Sequence, residues 1–322
     1  MALLSAYFSH AVYSGAMRLY LSACLLTTAF LLTGCPTVHL PAYSAAEEMQ
    51  FRADEVKDLT SPRGDLALVY SGFMEGHATI GSAPDNSVPL KNWSGPSLTL
   101  SLHDADVVVD KAEGNAQRNG KPLTPGQRLP LAQLARQWIT NDCISLRIHS
   151  EGNGAWLQAF DAKSEPLQTF HPLRYYAPSS TYRIAAEWVP LPKGYNLTYH
   201  RTNGGNDLAA NAPGYIQFTL DGKGYKLYAT TYPDMLFVVF RDLTSKTETY
   251  PAARYLEIRY DSRAFNPAHS FDATKPTKMM LDFNQAVNPA CAYNPNTHCP
   301  IAPPENRLAV AIPAGEKRYH DE

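Results

Sequence analysis

The sequence predicts a mainly β protein: two β-sandwich or barrel-like domains, preceded by one amphipathic helix and a signal peptide. Three observations carry this expectation. Many short segments alternate apolar and polar residues with a period of two, as half-buried strands do. The 25 Pro and 19 Gly punctuate those segments as turns, while the 19 Tyr favour strands. Ahead of them stand a single long stretch with helical spacing and a charge-free apolar run near the N-terminus.

That run, Leu19 to Leu32, follows Arg18 and closes on Leu32-Thr33-Gly34-Cys35. A positive n-region, an apolar h-region and small residues at the cut site make a secretory signal. A compact signal begins at Met17, so the true start is expected there or at Met1. The Leu-Thr-Gly-Cys ending resembles the bacterial lipobox. The resemblance implies that Cys35 takes a diacylglycerol, becomes the first residue after cleavage and carries palmitate-type chains. Membrane lipid is then the first partner, and the cell envelope the location. Pro36 follows Cys35 where Asp marks inner-membrane retention in Gram-negative lipoproteins, which favours the periplasmic side of an outer membrane. The alternative is a spanning anchor with an incidental cysteine, but the run is about 14 residues and a span needs about 20.

Residues 36–62 read as a tether and a helix. Ser44-Ala45-Ala46-Glu47 is a capping-box pattern, and Ala45, Met49, Arg52, Val56 and Leu59 recur at helical spacing. Residues 63–150 form the first expected β domain. There Leu66, Leu68 and Tyr70 alternate, as do Leu98, Leu100 and Leu102, and Leu146 with Ile148, while Val107 to Val109 is a short apolar strand. Leu131 to Ile139 suggests a second, shorter helix. Gly, Pro and polar residues gather between Ser150 and Leu173, where a boundary is expected.

Residues 165–318 form the second domain. Ile216, Phe218 and Leu220 alternate, Asp221-Gly222-Lys223-Gly224 turns, and Tyr225, Leu227 and Ala229 alternate back as a hairpin. Met235 to Phe240 is continuously apolar, hence a central strand. Further strands are expected at Leu256–Tyr260, Met279–Phe283 and Leu308–Ile312, with a proline-rich loop before the last.

A net charge of -2 supplies no clustered basic surface, which excludes nucleic acid as a partner. Of five cysteines, Cys24 leaves with the signal and Cys35 carries lipid. Cys291 and Cys299, eight apart, suit a short-loop disulfide in an oxidising compartment better than a metal site, which lacks C-x2-C spacing. Cys143 reads as a buried thiol. No H-E-x-x-H, G-x-S-x-G, Walker loop or G-x-G-x-x-G is present, so neither metal nor cofactor is expected.

Two regions resemble known families. Phe170-His171-Pro172-Leu173, Phe240-Arg241-Asp242-Leu243-Thr244-Ser245, Arg254-Tyr255-Leu256, Leu281-Asp282-Phe283-Asn284-Gln285-Ala286-Val287-Asn288-Pro289-Ala290-Cys291-Ala292-Tyr293 and Pro303-Pro304-Glu305-Asn306-Arg307-Leu308 carry the first. This pattern, running from roughly Phe51 to Lys317, is similar to a bacterial and archaeal family labelled as a domain of unknown function, number 1684. The resemblance implies membership and no chemistry. The second region, Thr79-Ile80-Gly81-Ser82 to Leu90 with Asn119-Gly120-Lys121-Pro122, resembles a forkhead-associated β-sandwich. Ser82 stands where that family has its phosphate-binding Arg, and Trp93-Ser94-Gly95-Pro96-Ser97 lacks the family's His, so phosphopeptide binding is not implied.

The candidate site gathers Arg241, Asp242, Arg254, Asp282, Asn284, Glu305 and Arg307 from strand ends of the second domain. Asp282 and Asn284 alternate with Leu281 and Phe283, so they share the face opposite the apolar one. Two readings stand. In one, the cluster binds a small anionic or hydroxylated ligand, or a partner in the envelope, with acid–base or hydrolytic chemistry as the enzymatic alternative. In the other, it is a structural network that satisfies carbonyls left by the proline-rich loop.

Overall fold

A computed structural model describes residues 43–151, 154–202, 207–262, 264–265 and 271–320. The expected signal peptide, Cys35 and most of the expected tether lie outside the described residues. Helix α1 (Ala45–Leu59) starts at the capping signal, where the Ser44 side chain accepts from the Glu47 N–H at 3.3 Å. Its packed face departs from the apolar stripe. Met49 is 57% exposed, whereas Glu48 and Arg52 are buried. These two pair at 2.8 Å, and the Arg52 guanidinium stacks 4.3 Å from the Tyr175 ring, so polar partners turn the helix. Two single-turn helices follow, α2 (Leu131–Leu134) and α3 (Glu165–Gln168). The expected second helix stops at Leu134, because Ile139 opens a strand.

The first unit comprises β1 (Leu68–Met74), β2 (His77–Gly81), β3 (Val88–Pro89), β4 (Leu98–His103), β5 (Asp106–Ala112), β6 (Gln117–Arg118), β7 (Lys121–Pro122), β8 (Arg128–Pro130), β9 (Ile139–Asn141), β10 (Ile144–Glu151) and β11 (Gly154–Asp161). Two sheets form, ordered β3-β2-β4-β5-β8 and β1-β11-β10-β9-β6-β7. Ile80, Leu98, Leu100 and Val107 of one share a core with Ile139, Leu146, Ile148 and Leu157 of the other, which makes a sandwich. The expected end at 150 moves to Asp161, because β10 and β11 are two arms of one hairpin. Asn119 and Gly120, with φ of 52° and 73°, make the two-residue turn between β6 and β7.

The second unit comprises β12 (Arg183–Tyr199), β13 (Leu208–Leu220), β14 (Lys223–Thr231), β15 (Met235–Phe240), β16 (Arg254–Arg259) and β17 (Thr277–Asp282). They form one antiparallel sheet, ordered β16-β15-β14-β13-β12-β17, curved into a half-barrel rather than a second sandwich. Both faces are covered. Trp188, Ile216, Val238 and Leu256 pack with Phe283 and Ile312 on one. Tyr199, Phe237, Val239 and Tyr255 pack with Cys299 and Ala302 on the other. Strand β15 is buried at every position, as its unbroken apolar run requires. The β13–β14 turn is Asp221-Gly222, both at positive φ.

Two expected strands end differently. The alternation through Phe283 breaks at Asp282, where Phe283–Gln285 winds into a 3-10 turn with Phe283 still in the core. Residues Leu308 to Ile312 form no strand. They touch the sheet through one parallel bridge, Arg241 to Arg307, with the Leu308 N–H donating to Arg241 O at 2.7 Å. At its far end the Ile312 N–H donates to the Asp242 side chain at 3.5 Å rather than to a strand, and Pro313 has no N–H to continue a ladder.

Gly315 sits at φ +76°, and a Cβ there would lie 2.4 Å from Ala286 O. Gly315→Ala is therefore expected to cost about 1–3 kcal/mol, read as a lower urea midpoint with unchanged slope. The two units are tied by Asn294, whose Nδ2 donates to Asp65 O at 2.6 Å and Leu68 O at 2.8 Å.

Candidate functional site

The seven residues expected to meet do not form one site. Asp242 follows the buried strand β15 and caps the next turn, accepting from Thr244 N at 2.6 Å. Its other oxygen meets Arg254 Nη1 at 2.6 Å, and both side chains are fully buried. The same guanidinium donates to Ile312 O at 3.0 Å and to Ala314 O. This pair locks the C-terminal segment against the sheet. Asn284 is also fully buried. Its Nδ2 donates to Ser179 O, and its Oδ1 accepts from Ser179 N. Asp282 pairs with Arg183 at 3.3 Å and lines a small polar recess with Glu47 and Glu48 of α1. Glu305 accepts from the Tyr195 hydroxyl at 2.9 Å. Arg307 is exposed, with its Nε donating to Ala302 O at 3.3 Å. Arg241 joins it through backbone only. The structural reading of the proline-rich loop fits this geometry. Asn306, fully buried, also serves it by donating to Tyr228 O and Val239 O.

A different set of residues encloses a cavity of about 990 Å³. One wall is α1, with Phe51, Asp54, Glu55 and Asp58. The opposite wall comes from β14–β16 and their turn, with Thr230, Thr231, Tyr232, Asp234, Glu257 and Arg259. Gln285, Val287, Asn288, Ala290 and Tyr293 of the long C-terminal motif close the third side, and Glu316 lies at the deep end. The motif can do this because its 3-10 turns at Phe283–Gln285 and Ala290–Ala292 bend it around the sheet edge.

The Glu316 end of the cavity is buried and strongly polar. Glu316 is 1% exposed and accepts from the Tyr293 hydroxyl at 2.6 Å and from Asn288 N at 2.9 Å. Burial pushes its carboxyl up to about 7, against the pull of those donors. Burial, and then the neighbouring Glu316, raise the Tyr293 hydroxyl well above its ordinary range. Asn288, 4% exposed, gives Nδ2 to Lys317 O, while its Oδ1 is buried without a partner.

Cys299 reaches the same cavity, and Cys291 stands beside it. The expected disulfide is not formed in this geometry: both are free thiols, with Cys291 N–H donating to Cys299 Sγ at 3.2 Å. A hydrogen bond from the Cys299 thiol lowers the Cys291 thiol, whereas burial raises Cys299. Among the described residues no three His, Cys, Asp or Glu stand in metal-holding geometry, and no helix is long and apolar enough to cross a membrane.

Sequence reasoning missed Glu55, Asn288, Tyr293 and Glu316. Asn288 and Tyr293 were within reach, since both lie in the motif that carries the family resemblance. Glu316 has no local signal.

Residues 168–317 match the sequence model of a family described as "Protein of unknown function (DUF1684)", a span that starts well after the Phe51 expected from the sequence. An uncharacterized protein of Haloarcula marismortui, solved in solution by NMR, is 28% identical to this chain. The similarity covers 47% of this chain and 78% of that one, with a TM-score of 0.36. No curated protein matches the chain.

Proposed function

We propose that this chain, similar to the DUF1684 family through residues 168–317, is a lipid-anchored envelope protein that binds a small hydroxylated molecule in the cavity beside α1. The observation that carries the binding half is the cavity itself. It has the size of a small-molecule site, and amide, hydroxyl and carboxyl groups converge on it from α1, the sheet and the motif loop. An anionic ligand fits poorly among those carboxylates. The first unit would serve as a forkhead-associated-like scaffold without phosphate recognition.

The location half rests on Cys35 and its lipobox. Two or three acyl chains anchor a protein stably, and Pro36 favours the outer membrane of a Gram-negative source.

One observation favours an enzymatic alternative: a carboxyl at about 7 is poised for proton transfer near neutrality. That role would fall to Glu316, in place of the dispersed Arg241, Asp242, Arg254, Asp282 and Glu305.

Both halves have direct tests. Cys35→Ser is expected to release the protein from membranes and abolish labelling by radioactive fatty acid; full retention would mean a spanning anchor. Native mass spectrometry of the membrane-extracted protein is expected to show a bound small molecule, absent from Thr231→Trp, which fills the cavity. A bound species that survives Thr231→Trp would place binding elsewhere.

A further inference from the structure

We propose that Cys291 and Cys299 form a two-coordinate site for a soft monovalent metal ion, copper(I), bound between their sulfurs. The site stands apart from the small-molecule reading of the cavity and needs no occupant there.

Position is the first observation. The two thiols come into hydrogen-bonding contact, and backbone structure holds both. Cys291 stands in the Ala290–Ala292 turn, and Cys299 precedes the bridge that joins Pro300 to Arg201. The Cys291 N–H reaches across the loop to the Cys299 sulfur at 3.2 Å. Both thiols are free, so both sulfurs keep their lone pairs for a ligand.

The donors around them are the second observation. A thiol packed in an apolar core is a weak acceptor and needs no donor. Here three donors converge on two sulfurs. The Cys291 N–H meets Cys299, and the Thr202 and Tyr250 hydroxyls meet Cys291. The Tyr250 hydroxyl lies 3.7 Å from that sulfur and is shared with Cys291 O at 3.4 Å. Thiolates are the metal-binding form of cysteine, and hydrogen bonds to the sulfurs hold and tune them. Tyr255, Val287, Ala290 and Ala302 supply an apolar surround. Cys299 is 2% exposed and borders the cavity, whereas Cys291 is half-buried and gives an ion a way in.

Chemistry selects the ion. Soft thiolates select copper(I), which two sulfurs satisfy. Zinc wants four ligands, and among the described residues no three His, Cys, Asp or Glu stand in metal-holding geometry. The missing C-x2-C spacing therefore counts against zinc and not against a two-coordinate ion. Binding forms two copper–sulfur bonds and releases both thiol protons to solvent. Copper stays monovalent, so no oxidant or reductant is consumed. The bound unit carries one negative charge, which the three donors offset.

The test uses the full chain in detergent, reduced and free of oxygen. Copper(I) is added in competition with bathocuproine disulfonate, a coloured copper(I) chelator. The wild type is expected to hold one copper per chain, with two sulfur neighbours by X-ray absorption. Cys291→Ser and Cys299→Ser should each weaken copper more than about hundredfold, because losing a ligand exceeds losing a group that supports one. Tyr250→Phe should keep the stoichiometry and weaken binding about tenfold. Cys143→Ser should bind as the wild type does. Silver(I) should displace the copper, and zinc should not. Urea midpoints without metal show which variants are folded, and Cys291→Ser, at the half-buried position, carries the comparison if Cys299→Ser is destabilised.

A wild type that yields all its copper to the chelator would overturn the proposal. So would copper retained by the double variant Cys291→Ser/Cys299→Ser, or zinc bound more tightly than copper. A Cys291–Cys299 disulfide in protein extracted from membranes without reductant would also overturn it, since the pair would then be a cross-link.

Discussion

Replacing Arg254 with alanine is expected to cost the fold about 3–5 kcal/mol, the range for breaking a buried ion pair from one side. Arg254 and Asp242 are fully buried 2.6 Å apart, so removing one leaves the other's charge in the core. The loss has three parts. Asp242 keeps its charge in the core, while Ile312 O and Ala314 O each lose a donor. Asp242 also caps the Leu243–Lys246 turn, so the damage spreads to the end of β15. Urea unfolding of Arg254→Ala should show a sharply lower midpoint. The double variant Asp242→Asn/Arg254→Met should recover part of the loss, because it removes both charges together. If Arg254→Ala unfolded at the wild-type midpoint, the C-terminal segment would have to be held by something other than this pair.

Glu316 is expected to make stability fall as pH rises. Its carboxyl is raised from an ordinary 4.5 to about 7 by burial. Below about pH 4.5 folded and unfolded chains both hold the proton, and the full contribution of the neutral group is present. Between about 4.5 and 7 the unfolded chain releases the proton while the folded chain keeps it, so stability declines across that window. Above 7 the contribution is gone, a difference of roughly 3 kcal/mol. Glu316→Gln stays neutral and can still accept from Tyr293 and Asn288, so its stability should be flatter over the same range. Other carboxylates titrate in both proteins, and the difference between the two curves isolates this one. Superimposable curves would mean that Glu316 is ionised in the folded protein.

Much of this was readable in the chain. The Ser44 cap, the buried run Met235 to Phe240 and the Asp221-Gly222 hairpin follow from local chemistry, and each stands where expected. The half-barrel was harder. Alternation tells which side chains share a face, but not whether a second sheet or a loop covers that face. Here the proline-rich segment supplies the cover that a partner sheet would have given, with Phe283, Leu308 and Ile312 on one side and Cys299 and Ala302 on the other.

The cavity was not readable for a similar reason. Its walls come from Phe51 and from Glu316, far apart in sequence, and its acidic residues look like ordinary solvated positions one by one. Asp282 and Arg254 caught the eye because they flank strands. Flanking a strand brings a charge to the sheet edge, and the edge is where this fold spends charges on holding its own loop.

Asn294 has a consequence for how the molecule comes apart. Its amide finds both carbonyl acceptors, on Asp65 and Leu68, only while the sandwich and the half-barrel are in place together. Beside it Tyr293 and Tyr319 share a cluster with Leu59 and Leu66, so the seam is greasy as well as bonded. Neither half can melt without stripping the other of buried partners. The two β units, separate by topology, are expected to come apart as one cooperative body: a single thermal transition, with no protease-resistant half left over.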